Sequence, residues 1–88
     1  MFDTIIRGGT VIDGTGRPGF TADVGITAGK IAAVGALSAA PASRVIDASG
    51  RVVTPGFIDI HRHADAAAFR PGYGELELRQ GLTTIVNG

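Results

Sequence analysis

The chain has 88 residues, eight basic against eight acidic, with fourteen glycines and no cysteine. That length allows one small domain with little interior of its own, and the missing cysteine excludes a disulfide framework and any thiolate metal ligand within the chain. Balanced charge argues against a nucleic-acid partner, no apolar run approaches a membrane span, and Met1-Phe2-Asp3 lacks the basic start of a signal peptide; a cytoplasmic protein is expected.

The first half of the chain reads as short strands divided by turns. Residues 4–7 predict a strand, Gly8-Gly9 a turn and residues 10–12 a second strand. Asp13-Gly14-Thr15-Gly16-Arg17-Pro18-Gly19 is a loop of turn formers. No lysine followed by Ser or Thr comes after it, so a phosphate-cradling loop is disfavoured. Residues 20–26 and 30–35 predict two strands joined as a hairpin through Thr27-Ala28-Gly29-Lys30. Residues 36–43 read as a surface loop, 45–48 as a brief strand, Ser49-Gly50 as a turn and 51–54 as a returning strand. The pattern is that of a small antiparallel meander or half-sandwich. Asp13, Asp23 and Asp47 fall at strand ends, where turn capping and solvation account for them without any chemistry.

After Pro55 the pattern changes. Pro55-Gly56 punctuates the chain, and residues 57–60 predict a strand running into His61-Arg62-His63. By strand alternation Phe57, Asp59, His61 and His63 share one face, with the imidazoles about 7 Å apart along the backbone. Most His-x-His pairs are ordinary surface or core histidines, so the spacing alone is a weak signal. Its position after a Pro-Gly turn and a short apolar run strengthens a metal reading, and neutral imidazole suits zinc as well as nickel, iron or copper. Arg62 falls on the opposite face, where packing or an ion pair accounts for it. Residues 64–74 predict a loop and residues 75–80 a short helix in which Glu75 and Arg79, four apart, can pair. Gly81 stands where a left-handed cap belongs. Residues 82–86 then predict a buried strand, parallel to the first and reached by a right-handed crossover.

Several segments together carry a resemblance. They are Ile5-Ile6-Arg7-Gly8-Gly9-Thr10-Val11-Ile12-Asp13-Gly14-Thr15-Gly16, Ala22-Asp23-Val24-Gly25-Ile26, Gly29-Lys30-Ile31-Ala32-Ala33-Val34-Gly35 and Val45-Ile46-Asp47-Ala48-Ser49-Gly50. To these are added Val53-Thr54-Pro55-Gly56-Phe57-Ile58-Asp59-Ile60-His61-Arg62-His63 and Gly81-Leu82-Thr83-Thr84-Ile85-Val86. The chain resembles the N-terminal portion of the amidohydrolase superfamily, most closely the N-acyl-D-amino-acid deacylases, or D-aminoacylases, which carry an Asp where Asp65 stands. The resemblance implies a β-rich small domain over residues 1–54, half of a composite β-sandwich, followed over residues 55–88 by the first β-α-β unit of a metal-dependent β/α (TIM) barrel. It implies a divalent metal, zinc first, held by His61 and His63. Asp59 is implied as a hydrogen-bonding partner behind those ligands, with a plain barrel-interior Asp as an equal alternative. By the same match Asp65 would be a nearby loop carboxylate and the chain's one candidate catalytic group.

The implied reaction is hydrolysis of a small-molecule amide, an N-acylated D-amino acid in the first reading. The alternatives are a dihydroorotase- or hydantoinase-like opening of a cyclic amide, or a non-catalytic subunit that keeps the fold. A β/α barrel takes roughly 250 residues, so activity is expected only in a larger assembly, an oligomer in which a companion polypeptide carries the rest of the barrel. Gly88 is then expected to end a subunit, through a split gene or through cleavage. A Ser, Thr or Cys after it would attack the Gly88 carbonyl and make Gly88 an autocleavage terminus.

Overall fold

The computed structural model describes residues 1–62 and 75–87. The chain divides into two compact units, Met1–Pro55 and Gly56–Gly88. The first holds β1 (Phe2–Val11), β2 (Phe20–Thr27), β3 (Lys30–Gly35), β4 (Ala42–Asp47) and β5 (Val52–Val53). The second holds β6 (Phe57–Arg62), α1 (Glu75–Arg79) and β7 (Leu82–Asn87). Among the described residues no helix is long and apolar enough to cross a membrane.

The first unit is one five-stranded sheet in the order β3-β2-β1-β4, with β5 also paired to β1. β1, β2 and β3 form the expected antiparallel meander. The β2–β3 hairpin turns through Ala28 and Gly29, with φ of 52° and 75°. Positive φ at both central residues is what a two-residue hairpin turn needs to follow the strand twist.

Two expectations are corrected. Gly8-Gly9 is not a turn between strands but a bulge within the single strand β1: Ile6 pairs with Val24 and Gly9 with Ala22, so Arg7 and Gly8 stand against Asp23 alone. Gly8 takes a φ of 73°, which glycine adopts without a Cβ penalty. The sheet is also mixed rather than antiparallel. β4 and β5 both run parallel to β1, one along Phe2 to Arg7 and the other along Thr10 and Val11. The chain therefore does not return after Ser49-Gly50; it makes a turn closed by Arg51 N donating to the Ala48 carbonyl, 2.9 Å, and resumes its direction. The break between β4 and β5 falls where β1 bulges, so a bend in one strand is absorbed by its neighbour. At that point a Cβ on Gly9 would stand 2.5 Å from Val53 Cγ2 and 3.2 Å from the Ala48 Cβ, and only glycine leaves room.

The core lies on one face of this sheet. Phe20, Ala22, Val24 and Ile26 alternate along β2 and pack with Ile6, Val11 and Val53. The register sets Ile46, Ile6, Val24 and Val34 in one row across four strands. On the other face Ile5 is fully buried, and the Phe2 ring fills the space above Gly25 that a side chain would occupy.

Asp23 departs from its expected role. It lies inside β2 and is 8% exposed. Its Oδ1 accepts the Gly8 N–H and its Oδ2 the Leu37 N–H, both at 2.8 Å. The carboxylate thus satisfies the amide freed by the bulge and ties down the loop after β3. Those two bonds, Leu37 first, hold its carboxyl below the usual carboxylate range. Asp13 and Asp47 are turn residues as expected, accepting the N–H of Thr15 at 3.1 Å and of Ser49 at 2.9 Å.

In the second unit β6 and β7 pair in parallel on either side of α1. Arg79 and Glu75 pair across one turn at 2.7 Å. Gly81, with φ 85°, donates its N–H to the Leu78 carbonyl at 3.0 Å and accepts from Phe57 N at 2.7 Å. The left-handed cap therefore ends the helix and starts the ladder at once. The expected burial of residues 82–86 is corrected where it is described: Thr83 and Thr84 are exposed, and so are Phe57, Ile58 and Ile60 of β6. Parallel strands need cover on both faces, and among the described residues the helix that could cover them has only five residues.

Candidate metal centre

The candidate centre stands at the C-terminal end of β6. Phe57 begins the strand against Gly81, and Gly56, just before it, lies so close to the Thr83 side chain that no Cβ would fit. These contacts fix the start of β6 on β7, and the strand runs extended through Asp59 and His61 to Arg62. Asp59 and His61 thus both lie within the strand.

The pairing is not uniform. Asp59 aligns with Ile85 and Arg62 with Asn87, so three steps along β6 match two along β7. The additional residue falls at Ile60-His61. Bulges of this kind recur beside active sites, where they re-aim a side chain or end a ladder. Nothing in residues 58–62 signals it, since they contain neither glycine nor proline.

His63 and Asp65 lie outside the described residues, as do the 64–74 loop and Gly88. Of the candidate site residues the structure brings Asp59 and His61 onto one strand. Among the described residues no group of three or more His, Cys, Asp or Glu could hold a metal ion. The acidic residues of the first unit are committed elsewhere: Asp3, Asp23 and Asp47 accept backbone amides, and Asp13 accepts the amide and hydroxyl of Thr15.

Comparison with known proteins bears on what this strand end is. Residues 44–88 match the model of the amidohydrolase family. The chain is 54% identical over 87 residues to the N-acyl-D-glutamate deacylase of Alcaligenes xylosoxydans xylosoxydans, covering 98% of this chain and 18% of that protein. It superimposes with a TM-score of 0.94 and 52% identity on a D-aminoacylase described with a binuclear metal centre, covering all of this chain and 19% of the other. It matches the N-acyl-D-glutamate deacylase of Bordetella bronchiseptica, solved with zinc and a phosphonate mimic of the tetrahedral intermediate, at a TM-score of 0.93 and 47% identity, covering 99% of this chain and 18% of that one. The chain spans less than a fifth of the length of each. The β-rich unit and the strand pair after it are those of the N-terminal part of these structures. With a family match over half its length and near-complete alignment to deacylases, the chain belongs to the amidohydrolase family.

Proposed function

We propose that this chain is the N-terminal portion of a metal-dependent amidohydrolase that cleaves the amide bond of N-acylated D-amino acids. The observation that carries the reading is the 54% identity to an N-acyl-D-glutamate deacylase across nearly the whole chain. His61 and His63 are the proposed metal ligands. Their donor chemistry fits: neutral imidazole nitrogens suit zinc. Two imidazoles are fewer than the ligands a zinc site takes, and in this reading the remainder come from further polypeptide. That polypeptide, carrying the rest of a β/α barrel, is the partner this reading requires.

A divalent ion held there would lower the pKa of bound water toward neutrality and polarise a carbonyl. The work assigned to this chain is positional. β6 presents His61 at its C-terminal end, the end at which β/α barrels build their sites. Asp59, two residues earlier, is the proposed acceptor for a ligand N–H, a bond that would fix the ring's tautomer and orientation. Asp65 is the chain's own candidate for holding a proton during the reaction.

The test uses the full-length protein. Replacing His61 and His63 together with Ala is expected to remove bound metal, measured by elemental analysis, and nearly all turnover. Full metal content with normal turnover would overturn the assignment. A panel of N-acetyl-D-amino acids assayed beside hydantoin and dihydroorotate checks the substrate class; activity on the rings alone would place the enzyme among the cyclic amidases instead.

A further inference from the structure

The loop between β1 and β2 contains Asp13-Gly14, a pair that the hydrolase reading does not use. An aspartyl residue followed by glycine can react with its own backbone. The Gly14 nitrogen bonds to Asp13 Cγ, the amide and the protonated carboxyl each give up a proton, and one carboxyl oxygen leaves as water. A five-membered cyclic imide results. Water then opens the ring at either carbonyl. One opening restores Asp; the other leaves isoaspartate, in which the main chain runs through the former side chain. Water is the only co-reactant, and nothing is oxidised or reduced.

The fold leaves this nitrogen accessible. Residues 12–19 belong to no strand, so no ladder holds the Gly14 amide. Gly14 is exposed at φ 83°, with nothing within 4 Å of where a Cβ would stand. What the structure does restrain is the carboxylate. Thr15 donates both its N–H, at 3.1 Å, and its hydroxyl, at 2.6 Å, to the same Asp13 Oδ1. These bonds turn the group toward residue 15 and favour its charged form; the hydroxyl bond is the first cause of a carboxyl held below its usual range. A charged carboxylate is a poor target, because expelling its oxygen is harder than losing water from the neutral acid.

We propose that Asp13-Gly14 is a site of isoaspartate formation and that Thr15 suppresses it by holding the Asp13 carboxylate with its hydroxyl and amide. The hydroxyl is the part a substitution can remove. Isoaspartate would add a methylene to the backbone leading into β2 and release the grip on Thr15.

The experiment ages the intact protein at neutral pH and measures isoaspartate at residue 13 by peptide mapping with fragmentation that distinguishes the isomers. Circular dichroism confirms that each variant is folded. Thr15→Val and Thr15→Ala are expected to accumulate isoaspartate several-fold faster than wild type, and Thr15→Ser to stay close to wild type. Wild type unfolded in denaturant should react several-fold faster than folded wild type, a comparison that needs no variant. Folded Val and Ala variants no faster than wild type would overturn the role of Thr15. Equal rates in folded and unfolded wild type would overturn the protection altogether.

Discussion

Asp23 shows how much one carboxylate can organise in a small sheet. Both its oxygens accept main-chain amides at 2.8 Å, one from the β1 bulge and one from the loop after β3. Asp23→Ala would leave two amides without partners, at a cost on the order of 1–3 kcal/mol for each that stays buried. Asp23→Asn keeps one acceptor and should lose less; denaturant melts of both variants check the order. The sign of the pH effect follows from the lowered carboxyl. A carboxylate with a depressed folded pKa contributes its full stability above its unfolded value, about 3.9 for Asp. That stability is lost as pH falls through the lower folded value, so Asp23→Asn should flatten the acid side of the stability curve. Asp59 makes a different claim. If it orients a ligand imidazole, Asp59→Asn should lower metal affinity or activity by about 10–100-fold, seen in metal titration. Unchanged metal binding would leave it as an interior Asp only. The His61-Arg62-His63 pattern is local and is read directly from the sequence. The role of Asp23 was not legible, because its partners lie 15 and 14 residues away, one freed by the β1 bulge and the other in the loop after β3.

At the scale of elements the same distinction separates what could be read from what could not. The β2–β3 hairpin, the Glu75–Arg79 pair and the Gly81 cap depend on neighbours within four residues, and all three are present. The direction of β4 and β5 depends on which strand they meet, and Gly8-Gly9 looks alike as a turn or as a bulge until that strand is known. The bulge carries its own prediction. A Cβ at Gly9 would stand 2.5 Å from Val53 Cγ2, so Gly9→Ala overpacks the junction of β1 and β5. A loss of about 1–3 kcal/mol is expected. Val53→Ala removes the nearest atom, and in a double-mutant cycle the pair should be less destabilising than the sum of the single changes. Strict additivity would mean that the close approach at Gly9 carries no energy.

For the whole molecule the contrast between the two units decides what to expect of the 88 residues alone. The first unit has a shared core at Val11, Ala22 and Val24, with Ile5 buried on the opposite face. The second leaves Phe57 54%, Ile58 61% and Ile60 78% exposed on β6. Local stability follows buried apolar contact, and exposed apolar strands invite association with other chains. In the isolated chain, amide hydrogen exchange should therefore be slowest in β1 and β2 and fast in β6 and β7. In a full-length protein of the proposed kind, further strands and helices would cover β6, as parallel sheets require. Protection of the β6 and β7 amides should then rise by orders of magnitude while that of β1 and β2 changes far less. The comparison also separates folding from chemistry, since it needs neither metal nor substrate. If β6 and β7 were as slow to exchange in the isolated chain as in the whole protein, the pair would be a self-sufficient unit. The requirement for further polypeptide would then rest on the metal ligands alone.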